Sequence, residues 1–359
     1  MPCIIRAWAA TRPEAEGDGM SMVHANRPPR VSWRAGIAAT TAAAALVLGL
    51  GTAPSPARAA TAVVRVTPLG SHTGEFCAFD RALVFEDPDG TRILYDPGRT
   101  VRGPQDPRLG HIDAVLLSHV HADHLGDAVQ PAQDAGSCAK PDTSVSTVPQ
   151  SNTVDIAVGT HAKLVVGGEM AKFFALKLKE AGGQPQQVQL LRFGGSTHIG
   201  GVSVTSVQAA HSNGLDPMFL HKEQAQALES NGLTAYLGPP GGFVLQFSNG
   251  LVAYLSGDTG VMAEQELVVR REYHAKLVVL NIGGTFTTGP GEAAYVVNEL
   301  VQPAWVIASH ANEAATRGGQ VQPGTRSEAF IKAAKMPVVL PLSGRTMSFD
   351  AGGACVGGC

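Results

Sequence analysis

The sequence predicts an α/β fold in which two β-sheets pack together with helices on the outside, in a single domain of ~300 residues. Three observations carry that expectation. Short apolar, β-branched runs ended by turn residues recur along the chain. Helical patterns interrupt them in the order many β, α, many β, then α and β in alternation. Finally, the chain has 359 residues, 44% hydrophobic and 16% charged, with 42 Gly and 23 Pro, which describes a turn-rich globular protein able to bury a large core. Coiled coil and collagen are excluded.

In chain order, the first strands are expected at Val63 to Thr67, Ala82 to Glu86, Arg92 to Tyr95 and Ala114 to Leu117. The turn Asp87-Pro88-Asp89-Gly90 joins two of them as a hairpin. A helix follows from Glu169 to Lys179, because Met170, Phe173, Phe174 and Leu178 recur at helical spacing above a Lys face. Strands are expected again at Val188 to Phe193, Val202 to Val207, Phe243 to Phe247 and Leu251 to Leu255, the last two joined at Asn249-Gly250. The remainder alternates: helix Val261 to Arg271, strand Lys276 to Leu280, helix Pro290 to Val301, strand Trp305 to Ala308, helix Ser327 to Lys335 and strand Val338 to Leu342. Pro290 suits a first helical position.

Residues 1–59 read as a leader. They hold six Arg against three acidic residues, and the basic stretch Arg27 to Arg34 precedes an apolar run from Ala35 to Leu50 that ends near Ala57-Arg58-Ala59, an A-x-A site. The run falls short of the roughly 20 residues a spanning helix needs, so an export signal cleaved after Ala59 is expected and a stable membrane anchor is not. Translation is expected to start at Met20 or Met22, and the product is expected in the periplasm or outside the cell. Residues 60–359 then form the functional domain. The whole chain carries a net charge of -3, and no basic run after residue 60 could track a phosphate backbone, so a small-molecule substrate fits better than nucleic acid.

Four cysteines follow the leader: Cys77, Cys138, Cys355 and Cys359. They permit three pairings. In an oxidising compartment two disulfides are expected, with the close Cys355 and Cys359 paired locally and Cys77 paired with Cys138. A zinc site made of cysteine alone lacks the C-x-x-C spacing it needs.

The segment Ser118-His119-Val120-His121-Ala122-Asp123-His124 carries the chemistry. On an extended strand end His119 and His121 share a face, because side chains alternate with period two. Asp123 and His124 then turn into the next helix, so one segment can serve two neighbouring metal ions through imidazole nitrogen and carboxylate oxygen.

This motif resembles the H-x-H-x-D-H signature of the metallo-β-lactamase-fold hydrolase superfamily, and the resemblance covers nearly the whole chain after the leader. The superfamily implies an αβ/βα four-layer sandwich, with a later His, Asp and His each at a strand end. Ala210-His211-Ser212, Ser256-Gly257-Asp258-Thr259-Gly260 and Ala308-Ser309-His310 supply them. Leu94-Tyr95-Asp96-Pro97, Leu255 to Gly260 and Ile282 to Pro290 are similar to stretches of the ascorbate-phosphate lactonase-like branch. By this resemblance His119, His121 and His211 would bind one metal ion, Asp123, His124 and His310 the second, and Asp258 would bridge them. Asp123 and Asp258 are thus the candidate catalytic carboxylates.

Asp96 and Asp127 are candidates to orient ligand imidazoles, or else a turn former and a helix-surface charge. His72 falls one position after the place where the branch usually has its Gly-His. The segment Asn213 to Pro240 is long enough to cover the metals and select substrate, although a packed surface excursion with a short helix near Glu223 to Glu229 would also account for it. The expected activity is hydrolysis of a lactone or phosphate ester by a hydroxide shared between two divalent ions, zinc by default with manganese open. β-Lactam hydrolysis is the enzymatic alternative, and a non-catalytic periplasmic binding protein of the same fold is the alternative from another class. Tyr236 and His72 are the candidates for a leaving-group acid.

Overall fold

The structure, a computed structural model, describes residues 62–359, so the leader and its cleavage site lie outside the described residues. The first sheet begins with β1 (Val64–Pro68), β2 (Leu83–Glu86), β3 (Arg92–Tyr95), β4 (Ala114–Leu116), β5 (Lys163–Val166) and β6 (Val188–Leu190). The second contains β7 (Ser196–Ile199), β8 (Val202–Gln208), β9 (Gly241–Gln246), β10 (Val252–Leu255), β11 (Leu277–Asn281), β12 (Trp305–Ser309) and β13 (Val338–Val339). The chain then returns to the first sheet as β14 (Met347–Phe349) and β15 (Cys355–Gly357), giving the spatial order β6-β5-β4-β3-β2-β1-β14-β15 beside β7-β8-β9-β10-β11-β12-β13. The pairs from β3 to β6 and from β10 to β13 are parallel, and the rest antiparallel. The Asp87 turn sets Glu86 opposite Arg92, and the Asn249 turn sets Gln246 opposite Val252.

Strand alternation builds the four layers. Ala114 and Leu116 of β4, Val165 of β5 and Leu277 and Val279 of β11 enter a core between the sheets. Their neighbours Val115 and Leu164 turn outward onto Phe174 and Leu178 of the helix Met170–Glu180, and Val278 and Leu280 turn outward onto Ala293, Val297 and Phe330. Central parallel strands are therefore apolar on both faces. Each fully buried Val, Leu or Phe contributes roughly 1.5–3 kcal/mol. The expected αβ/βα sandwich is the observed fold.

Several elements differ from expectation for local reasons. The helix Asn152–Thr160 was not among the expected elements, and its β-branched Thr153, Val154, Ile156 and Val158 favour strand by intrinsic preference. Ser151 caps it by accepting from the Val154 amide, and packing of Val154, Ile156 and Ala157 against the first sheet decides the conformation. The expected helix from Val261 starts only at Gln265, whose side chain accepts the Met262 amide and ends the preceding irregular turn. Lys177 leaves the expected Lys face. Its buried ammonium donates to the Pro149 carbonyl at 2.9 Å and lies 3.4 Å from Glu180.

Both disulfides join the expected partners, Cys77 with Cys138 and Cys355 with Cys359. No helix among the described residues is long and apolar enough to cross a membrane.

Candidate active site

Four strands end along one rim of the sandwich, and each delivers part of a His/Asp cluster. After β4 the chain stays extended, so His119 and His121 fall on one face, with Nε2 of His119 3.0 Å from Nδ1 of His121. The single helical turn Ala122–Leu125 then swings Asp123 and His124 to a second position. His211 follows β8, Asp258 follows β10, and His310 follows β12.

Two of the converging donor groups share no residue, and a third joins His119, His124 and Asp258 across them. His119 Nε2, His121 Nδ1 and His211 Nε2 make the first, with His211 3.2 Å from His121. Asp123 Oδ2, His124 Nε2 and His310 Nε2 make the second, with Asp123 3.2 Å from His310 and 3.7 Å from His124. Asp258 lies between them: Oδ1 is 3.3 Å from His124 Nε2, while Oδ2 is 3.1 Å from His310, 3.7 Å from His211 and 4.0 Å from His119. All seven sequence-predicted residues are thus brought together.

Two glycines make this packing possible. Gly98 has φ 54°, and a Cβ there would stand 2.6 Å from the Asp123 carbonyl. Gly257 has φ 60°, with a Cβ position 2.5 Å from the Gly241 carbonyl, and its amide donates to the Tyr95 hydroxyl at 3.0 Å. No other residue type adopts such positive φ against so close a neighbour without strain.

The outer nitrogens of His124 and His119 are held as those of metal-ligating imidazoles usually are. Asp96 Oδ2 lies 2.8 Å from His124 Nδ1 and accepts the Ser118 hydroxyl at 2.8 Å, while Oδ1 accepts the Ser118 amide. Ser118 Oγ in turn sits 2.9 Å from His119 Nδ1, so one buried carboxylate orients an imidazole of each group. Asp96 pays for this with φ 40°. Asp127 has no such role: it forms a bidentate pair with Arg99.

The donor set fits divalent metal. Burial depresses His119, His121 and His211, most strongly His119, which keeps their lone pairs available at neutral pH. Burial also opposes charge on His124, yet Asp258, Asp123 and Asp96 outweigh it and raise that imidazole well above the usual range. Burial likewise works against Asp123 and Asp258, but His124 leads the neighbours that hold both carboxyls well below theirs. A field that binds a proton this tightly also draws a cation. Asp258 Oδ1 and His124 Nε2 are buried without a hydrogen-bond partner, as atoms reserved for coordination would be.

An open cleft of about 650 Å³ leads to the cluster. Leu215, Pro217 and Thr234 form part of its wall, so the Asn213 to Pro240 segment borders the site. Phe79 and Phe286 add apolar surface, and Arg81 and Arg99 cationic groups. Tyr236 is 61% exposed on a hairpin outside this lining, and His72 also lies outside it, with Nδ1 3.1 Å from Ser71 Oγ. Neither lines the cleft. Sequence reasoning passed over Ser118, Phe79, Arg81 and Asn312. Ser118 adjoins the histidine motif and could have been found there, whereas the others carry no local pattern.

A two-sheet sandwich with a His/Asp cluster at the strand ends defines the metallo-β-lactamase fold. Residues 91–311 match the family described as the beta-lactamase superfamily domain, and the chain belongs to that family. A UPF0173 metal-dependent hydrolase of Polynucleobacter asymbioticus is 29% identical over 275 residues, 73% of this chain and 81% of its own length. One from Cupriavidus taiwanensis is 28% identical over 325 residues, covering 87% and 99% of the two chains. Among solved structures, a metallo hydrolase from the archaeon Ignicoccus hospitalis superposes with a TM-score of 0.53 at 21% identity, over 80% of this chain and 99% of that one, which shows the shared fold. The protein is an enzyme of the metal-dependent hydrolase class.

Proposed function

We propose that the chain is an exported dinuclear hydrolase, acting on a lactone or phosphate-ester substrate, with zinc as its metal. The observation that carries this reading is the pair of converging three-donor groups with Asp258 between them. When bound, two divalent ions acidify water and polarise the group under attack. The chain's own residues do the rest. Asp123 and Asp258 supply negative charge that offsets the repulsion between dications, and neutral His119, His121 and His211 present lone pairs. Asp96 and Ser118 keep two of the rings aimed, and the Phe79, Leu215 and Pro217 wall offers apolar surface for the body of the substrate. The resemblance to the lactonase-like branch favours the ester and lactone classes. Two disulfides support an oxidising compartment.

Dialysis against a chelator is expected to abolish hydrolysis, and added zinc(II) to restore it more fully than manganese(II). A panel of an aliphatic lactone, an aryl phosphodiester and a chromogenic β-lactam is expected to show turnover of the first or second. Turnover of the β-lactam alone would replace the substrate reading, and no turnover by metal-loaded protein would favour a binding protein. Protein recovered from its native host is expected to begin near Ala60; intact leader on cytosolic protein would refute export.

A further inference from the structure

Arg81 is almost completely buried at the edge of the cleft, and every guanidinium donor is committed. Nε and Nη2 donate to Asp123 Oδ2 at 3.3 and 3.2 Å, and Nη2 also to Asn312 Oδ1 at 2.5 Å. Nη1 donates to the main-chain carbonyls of Ala78 and Asp80 at 3.3 and 3.1 Å. A guanidinium has five N–H groups, and these contacts use all of them. None is left for substrate. The oxygen it holds, Asp123 Oδ2, is the same one that faces His310 and His124.

The frame behind Arg81 is equally built. Cys77 is fully buried and bonded to Cys138, the Ala78 amide donates to the Cys138 carbonyl at 3.0 Å, and Asp80 accepts the amides of Ser71 and Cys77 at 2.8 Å each. On the other side Asn312 follows His310 by two residues, both in the left-handed conformation with φ 56° and 51°. Arg81 therefore ties the loop after β4 to the loop after β12 from a segment pinned by a disulfide.

We infer that Arg81 is a positioning residue that sets the rotamer of Asp123, and through it the second metal position, while leaving the first untouched. The inference rests on the two-ion reading above. A lysine keeps the charge but offers three donors from a single point, so it cannot span Asp123, Asn312 and two carbonyls.

The test uses metal-free protein and cobalt(II) binding followed by visible absorption, in wild type, Arg81→Ala, Arg81→Lys and Asn312→Ser, with apo folding checked by circular dichroism. Wild type is expected to bind two equivalents. In Arg81→Ala and Arg81→Lys the first equivalent should bind within about threefold of wild type and the second about 10–100-fold more weakly, the usual scale for groups that orient a ligand. Asn312→Ser should weaken the second equivalent by a smaller factor, and it carries the test if Arg81→Ala does not fold. Two equivalents bound as tightly as in wild type, or both weakened equally, would overturn the positioning role alone. A single equivalent in wild type would overturn the two-ion reading and this inference with it.

Discussion

Asp258→Asn is expected to hold fewer than two metal ions per chain and to hydrolyse substrate at least about a hundredfold more slowly than wild type. Its two oxygens face different groups, Oδ1 towards His124 and Oδ2 towards His310, His211 and His119. A carboxylate there offsets the repulsion between two dications, which a neutral amide cannot do. The substitution changes little volume. The turn that presents Asp258 depends on Gly257 and on the bond from its amide to the Tyr95 hydroxyl, and the substitution removes neither, so the variant should fold. If Asp258 only shaped a turn, asparagine would serve as well. Metal analysis of the purified variant beside wild type, with initial rates on the same substrate, separates the two outcomes.

Removing the Cys77–Cys138 bridge is expected to cost about 4 kcal/mol, because it closes a loop of 61 residues and that constraint falls mainly on the unfolded chain. A Cys77→Ser/Cys138→Ser variant should therefore unfold at a clearly lower urea concentration than wild type. Cys355→Ser/Cys359→Ser should shift the midpoint about half as much, since closing only four residues is worth about 2 kcal/mol by the same relation. Equal shifts from the two pairs would contradict the loop-length argument. Wild-type protein denatured without reductant should react with almost no thiol reagent.

The sandwich was legible wherever short apolar, β-branched runs stood between clear turns: Arg92–Tyr95 is a strand with the expected bounds, and the Asp87 and Asn249 turns close hairpins as expected. It was least legible where β-branched residues form a helix, as at Asn152–Thr160, because a cap and packing against a sheet overrode intrinsic preference. The histidine motif announced the site because its residues are adjacent in sequence. His211, Asp258 and His310 were implied by the resemblance to the superfamily, which expects them in that order at strand ends, and the structure brings them to within 4.0 Å of partners in that motif. Arg81 and Asn312 are separated by 231 residues and meet only in space. Asp96 and Asp127 looked alike in sequence. What distinguishes them is which side chain lies nearby: the His124 ring for Asp96 and the Arg99 guanidinium for Asp127.

The most direct measurement of the central claim is anomalous scattering from crystals of the zinc-loaded protein at the zinc edge, paired with metal analysis of the same preparation. Two peaks are expected, one among His119, His121 and His211 and the other among Asp123, His124 and His310, with Asp258 between them and two zinc ions per chain. A single peak, or density away from these seven residues, would contradict the account.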